Sequence, residues 1–290
     1  MSSVRAHDEA ESFVLGLVGI DIEASLTPAM QVREGHEQGL TLSYRIIDAG
    51  RRGVGIEGLP ALLDWAEHLG FDGLNVTHPF KQAVVPLLDD LSEDAEDLGA
   101  VNTVVFRDGR RLGRNTDWSG FSRAFQQHLG GAEHDRVVLV GAGGAGVAVG
   151  YGLLAQGASY VAVHDVDVAR ADDCAVRLAK RYGEERVGVA LDLAPALATA
   201  EGVVNATPLG MYGHPGSAVP EELLREDLWM ADVVYFPLET ELVTAARRRG
   251  CRVMPGGGMA VQQAVAAFEM FTGRPADSAR MSRHFAELTG

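Results

Sequence analysis

Lys81 is one of two lysines in the chain, with Lys180; elsewhere positive charge is carried by arginine. An ammonium is a compact charge that can also give up its proton, which a guanidinium does not do in a protein. A lysine kept against that background suits proton transfer or the stabilisation of a developing oxyanion. The bland alternative is an ordinary surface residue at a helix start. Lys81 closes the heptapeptide Asn75-Val76-Thr77-His78-Pro79-Phe80-Lys81, which follows the apolar stretch Phe71-Asp72-Gly73-Leu74. Pro79 has no amide proton and biases His78 toward an extended backbone, so a strand is predicted to stop here.

A second kind of chemistry is written in Gly141-Ala142-Gly143-Gly144-Ala145-Gly146, which fits G-x-G-x-x-G between the buried strand Arg136-Val137-Val138-Leu139-Val140 and a helix. Small residues let the backbone approach a pyrophosphate, and the helix start supplies amide protons and partial positive charge. Asp165 lies about 20 residues beyond the loop, where a ribose-binding acid is expected. A carboxylate there accepts from both ribose hydroxyls and repels a 2′-phosphate, which points to NAD. Asp167 is the alternative acid, and Arg170 could reach a 2′-phosphate, which keeps NADP open.

Three more polar segments need a position. Ser25-Leu26-Thr27-Pro28 precedes a helix, with Thr27 suited to its N-cap and Pro28 to its first turn. Ala100-Val101-Asn102-Thr103 opens a hairpin. Asn115-Thr116-Asp117-Trp118-Ser119-Gly120 ends the first half of the chain, with Asp117 suited to cap the next helix.

The elements that must hold these groups fall into two zones. Short apolar runs at 14–18, 43–47 and up to Asn75 alternate with helical patterns at 29–38 and 58–69, a β-α-β-α-β order that implies a mostly parallel sheet. A helix at 81–88 and a hairpin of 101–105 with 111–113 around Asp108-Gly109 follow. After a helix at 120–128, strands at 136–140, 159–163, 186–190, 202–205, 232–234 and 252–253 alternate with helices at 144–156, 168–182, 195–199 and 239–249. That pattern is a doubly wound Rossmann-type sheet. The division expected is a substrate domain of residues 1–119, completed by helices in 258–290, and a dinucleotide domain of 120–257. Gly120 and Gly256-Gly257-Gly258 lie where the chain crosses between them, as hinges or simple turns.

Bulk properties narrow the partners. The formal net charge of -15 argues against nucleic acid and anionic membrane. Cys174 and Cys251 have neither disulfide-scaffold nor metal-type spacing, so free thiols in a reducing cytoplasm are expected. The polar, acidic start lacks a signal-peptide pattern, and no apolar run spans a bilayer. A small-molecule enzyme, monomeric or homodimeric, is the expectation.

Taken in order, Ser25-Leu26-Thr27-Pro28, Asn75 to Lys81, Gly99-Ala100-Val101-Asn102-Thr103, Asn115-Thr116-Asp117, Gly141 to Ala145, Asn205-Ala206-Thr207-Pro208-Leu209-Gly210-Met211, and Gly258-Met259 with Gln263-Ala264 resemble the shikimate dehydrogenase family over about 19–263. Within it the chain is most similar to bacterial NAD-dependent quinate/shikimate dehydrogenases, on Asp165 and the segment Asp232 to Thr240. The resemblance implies reversible oxidation of the ring C3 hydroxyl of quinate, shikimate or both. It implies that Ser25 and Thr27 bind the substrate carboxylate, that Thr77, Asn102, Gln263 and Tyr235 bind ring hydroxyls, and that Lys81 and Asp117 form the catalytic pair. Asn205, Thr207 and Met211 would line the nicotinamide end, and Gly258 would belong to the cofactor site.

Two departures bear on the substrate: Thr27 stands where most biosynthetic members have Ser, and Ala24 where many have His. The alternatives are an NADP-dependent biosynthetic enzyme, an aminoshikimate-type dehydrogenase, and a ligand-sensing regulator without catalysis. Retention of both Lys81 and Asp117 argues against the last.

Overall fold

The computed structural model describes residues 11–290; the polar start, residues 1–10, lies outside the described residues. Two six-stranded sheets organise the chain. The first holds β1 (Ser12–Gly19), β2 (Thr41–Asp48), β3 (Gly73–Val76), β4 (Asp90–Leu91), β5 (Thr103–Arg107) and β6 (Arg110–Arg114), in the order β2-β1-β3-β5-β6-β4. β1 pairs parallel with β2 and β3, and β4 with β6; β5 runs antiparallel to β3 and β6. Asp108 and Gly109 take φ of 54° and 68°, the two left-handed positions that a tight hairpin turn requires. Its helices are α1 (Thr27–Glu37), α2 (Leu59–His68), α3 (Phe80–Ala83) and α4 (Glu93–Leu98).

A long helix, α5 (Asp117–Leu129), leads into the second sheet. Its strands are β7 (Arg136–Val140), β8 (Tyr160–His164), β9 (Val187–Val189), β10 (Gly202–Asn205), β11 (Trp229–Asp232) and β12 (Arg252–Met254), all parallel in the order β12-β11-β10-β7-β8-β9. Between them run α6 (Gly144–Ala155), α7 (Val168–Tyr182), α8 (Leu193–Ala198) and α9 (Glu241–Arg248). On α7, Ala171, Cys174, Ala175 and Leu178 recur at helical spacing and are buried, which sets the face it turns to the sheet. The order reverses between β7 and β10, and that switch point opens a crevice beyond the strand ends.

The last two helices, α10 (Gly257–Thr272) and α11 (Ser278–Thr289), return to the first sheet. Ala267, Phe268 and Phe271 of α10 share a core with Phe13, Leu15, Leu42 and Val105. Met30 of α1 packs with Val261, Ala264, Val265, Met281 and Phe285.

The differences from the sequence reading have local causes. The helix expected at 81–88 breaks into α3 and a 3-10 turn at Val85–Leu87, because Pro86 cannot donate to the helical ladder. The strand expected at 232–234 lies earlier, at Trp229–Asp232, since the Asp232 carboxylate takes the Val234 N–H and turns the chain away. Gly120 sits inside α5, where a Cβ would lie 2.6 Å from the Gln263 side chain, and a Cβ on Gly258 would lie 2.8 Å from His128. These two glycines allow close helix packing. The His78–Pro79 and Phe236–Pro237 bonds are cis.

Candidate active site

Lys81 and Asp117, far apart in sequence, form an ion pair with Nζ 2.7 Å from Oδ2. Lys81 is placed by the end of β3: Thr77 N–H donates to the Val18 carbonyl, the chain turns, and the Lys81 carbonyl accepts from Val101 N–H at 2.8 Å. Asp117 is the first residue of α5; its N–H donates to Asn115 Oδ1, and Asn115 Nδ2 donates to the Ala100 carbonyl. Its other oxygen, Oδ1, accepts from Asn102 Nδ2 at 2.9 Å and from Gln263 Nε2 at 2.7 Å. Three donors, from α3, the turn before β5 and α10, thus hold the carboxylate. The Asp117 side chain is 6% exposed and the Lys81 side chain 26%, so a ligand meets the amine first.

Asn102 is the keystone. It is buried, and its Nδ2 donates to Thr116 as well as Asp117, while Oδ1 accepts from Thr116 N–H and Thr103 Oγ1. Further back, Asn75 donates to Thr103 Oγ1 and accepts from the Tyr44 hydroxyl at 2.7 Å. Burial raises the Tyr44 phenol above its usual range, which keeps it a donor. The sequence alone gives Tyr44 and Thr103 no role and shows Asn75 only as part of its motif. Period-two alternation along β2 and β5 was the available signal, and it does not distinguish a network member from a packing residue.

Ser25 and Thr27 stand at the start of α1, but the cap differs from expectation. Leu26 occupies the N-cap, Thr27 is the first helical residue, and Ser25 Oγ accepts from Thr27 N–H at 3.4 Å. The Thr27 hydroxyl is therefore not committed to capping. α1 is tied to the same centre, since Gln31 Nε2 donates to the carbonyl of Ala264, beside Gln263. The methyl group of Thr77 lies close to Gly19 at the tip of β1.

The glycine loop follows β7. Gly141 takes φ 100°, a conformation that side chains resist, and a Cβ on it would meet Ala206 and Thr207 at 2.8 Å. A Cβ on Gly146 would fall on the Gly141 carbonyl. Gly143 and Gly144 are different: both are exposed, and a Cβ on either would have no protein atom within 4 Å. The protein alone does not require glycine there, whereas a diphosphate lying against the backbone would. No side chain caps α6, which leaves the first amides of the helix, at Gly144, Ala145 and Gly146, without a capping partner. These residues fit a dinucleotide.

Asp165 follows β8 directly. Its Oδ2 accepts from Ala142 N–H at 2.8 Å and its Oδ1 from Asp167 N–H at 2.9 Å, so it fastens the glycine loop and retains lone pairs for a ribose. Asp167 caps α7 and pairs with Arg170 at 3.4 Å; the Arg170 side chain is 70% exposed. Asn205 is fully buried and bonded to Thr207, Leu209 and Asp232, so it shapes the loop rather than facing the crevice. Thr207 lies against Gly141, and Met211 and Tyr235 are exposed. Asp232 is held by neutral donors, and burial pushes its carboxyl up to about 6. Gly258 owes its missing side chain to α5.

A buried carboxylate holding an amine just beyond β3 of the first sheet, together with a bare glycine loop at the switch point of a Rossmann-type second sheet, points to an oxidoreductase that works with a dinucleotide. Comparison places it more closely. The model of the shikimate dehydrogenase substrate-binding domain matches residues 17–104, and that of the shikimate 5′-dehydrogenase C-terminal domain matches 256–283. A shikimate dehydrogenase (NADP(+)) of Streptomyces avermitilis is 52% identical over 97% of both chains. A quinate/shikimate dehydrogenase (NAD(+)) of Corynebacterium glutamicum is 49% identical over 96% of this chain and 99% of its own. The solved quinate dehydrogenase from Corynebacterium glutamicum in complex with NAD superposes with a TM-score of 0.91 at 47% identity, covering 96% of this chain and 99% of the other. The chain belongs to the shikimate dehydrogenase family.

Proposed function

We propose that the protein catalyses the reversible, NAD-dependent oxidation of the C3 ring hydroxyl of quinate, shikimate or both. The observation that carries this reading is the 2.7 Å pair of Lys81 and Asp117, braced by Asn102 and Gln263. Oxidation of a secondary alcohol removes a hydride from carbon and a proton from oxygen. NAD, when bound, accepts the hydride; the protein supplies position and proton handling. Lys81 meets the hydroxyl, its charge stabilises the alkoxide that develops, and the Lys81–Asp117 pair receives the proton. Asn102 and Gln263 fix the carboxylate so that the amine keeps one direction.

Ser25 and Thr27 bind the substrate carboxylate at the start of α1, which gives an acidic protein a local anion site without a basic patch. Thr77, Gln263 and Tyr235 meet ring hydroxyls. Gly141 to Gly146 hold the pyrophosphate, Asp165 the ribose, and Thr207 and Met211 the nicotinamide end. The substrate domain comprises 1–119 with 258–290, of which 1–10 lie outside the described residues; the packing of α10 on the first sheet and of α11 on α1 supports this division. Two buried free thiols, Cys174 and Cys251, support a reducing compartment, the cytoplasm.

NADP is the second reading. It has in its favour Arg170 beside Asp167 and the name of the Streptomyces relative. The test is an initial-rate matrix of quinate and shikimate against NAD and NADP, followed by absorbance of the reduced cofactor. Turnover with NAD and at least one polyol is expected. Equal efficiency with NADP would remove Asp165 as the discriminating residue, and no turnover in any cell would overturn the function.

A further inference from the structure

Asp232 ends β11, is fully buried, and takes no part in the chemistry above. Its Oδ1 accepts from Asn205 Nδ2 at 3.0 Å and from Val234 N–H at 2.9 Å, and its Oδ2 accepts from Thr240 Oγ1 at 2.8 Å. Each partner controls a different stretch of chain. Asn205 holds Thr207 through its N–H at 3.0 Å and its hydroxyl at 2.7 Å, and reaches the Leu209 carbonyl at 3.3 Å. Val234 leads into Tyr235. Thr240 accepts from Val243 N–H at 3.1 Å and so starts α9.

The two loops meet again at their tips. Tyr212 N–H donates to the Phe236 carbonyl at 3.1 Å, and their rings lie 6.2 Å apart. Gly210 takes φ 93° against Thr240, where a Cβ would come within 3.1 Å. A buried carboxylate among neutral donors is costly to fold. Its return is valency: two acceptor oxygens with about four lone-pair sites can gather donors from three segments at once, which an amide or hydroxyl does less well.

We infer that Asp232 is a positioning residue that makes the 205–216 and 233–240 loops order as one unit, so that dinucleotide and polyol bind cooperatively. The inference rests on the proposed function, in which Thr207 and Met211 face the nicotinamide end and Tyr235 faces the polyol. Whichever ligand orders its own loop first also orders the other, and the second ligand then binds to a site already formed. The coupling is reciprocal, as linkage requires.

Thr240→Val tests this, because it removes one donor to Asp232, keeps the side chain's shape, and bonds to neither Asn205 nor Thr207. On the ligand-free protein, amide exchange at Thr207 and Leu209 should accelerate by roughly fivefold or more, together with the amides of 234–243. The factor by which quinate tightens reduced-NAD binding, read by nucleotide fluorescence, should fall toward one. Thr240→Ser, which keeps the hydroxyl, should retain both properties within about twofold. Faster exchange confined to 240–243, with wild-type coupling, would mean that Thr240 only caps α9 and would overturn the inference. Loss of coupling in the Ser variant would overturn it too. Exchange needs no turnover, so a wild type inactive on both polyols would count against the proposed function while the exchange pattern still decides the role of Asp232.

Discussion

Two residues decide what the chemistry can be. Lys81→Ala removes the amine that Asp117 holds and leaves a carboxylate with two neutral donors. Turnover should fall by roughly three to four decades, the scale of combined acid-base and electrostatic effects, while reduced-NAD binding stays near wild type in a fluorescence titration. Near-normal turnover would remove Lys81 from the mechanism. Asp165→Ala takes away the ribose partner and the acceptor for Ala142 N–H. A hydrogen bond to a charged group contributes about 1.5–3 kcal/mol, so the preference for NAD over NADP should drop by roughly tenfold to a hundredfold, measured as the ratio of kcat/KM values. An unchanged ratio would assign discrimination to other residues.

At the scale of elements, the strand-loop-helix of β7 and α6 separates two uses of glycine. Gly146 and Gly141 are demanded by the fold, since the first has no room beside the Gly141 carbonyl and the second has left-handed φ. Gly144 faces open space. Gly144→Val should therefore fold normally, with stability within about 0.5 kcal/mol of wild type by denaturant titration, yet fail to bind NAD because the side chain occupies the diphosphate position. Gly146→Ala should be poorly folded. If Gly144→Val bound NAD normally, the nucleotide would not lie on this loop. The same reasoning applies to α5 and α10: their close approach at Gly120 brings Gln263 to Asp117, so helix packing is part of the site.

For the whole molecule, two buried carboxylates give pH responses of opposite sign. Burial alone would raise the Glu34 carboxyl, but Arg280, the Asp277 N–H and Gln38 outweigh it and hold it below its ordinary value, fastening α1 to α11. The stability it contributes is present above its ordinary value of 4.5 and is lost as pH falls through the lower folded value. Asp232 is raised from 3.8 to about 6, so it favours the folded state when protonated, and that contribution disappears as pH rises from about 4 to 6. A two-unit shift corresponds to at most about 3 kcal/mol. Denaturant titrations of wild type and Asp232→Asn should show the wild type losing ground to the variant across that range, whereas Glu34→Gln should lose its deficit in acid. A pH-independent difference for Asp232→Asn would mean that the buried carboxyl does not titrate there.

The two sheets, most element boundaries, the glycine loop and Lys81 as a candidate amine are legible in the sequence alone, while Asp117 as its partner comes only from the family resemblance. Those depend on local rules: hydrophobic period, proline and glycine backbone limits, and residue types that few chemistries can use. The sequence did not determine that Leu26 rather than Thr27 caps α1, that Asp232 ends its strand, or that Asn205 is enclosed. Nor did it place Tyr44, Asn75 and Thr103 behind Asn102. Each of these depends on which side chains meet across elements distant in the chain. A carboxylate's second oxygen or an amide's free hydrogen finds its partner only once strands and helices have docked, so the partner is a property of the packed molecule and not of any segment.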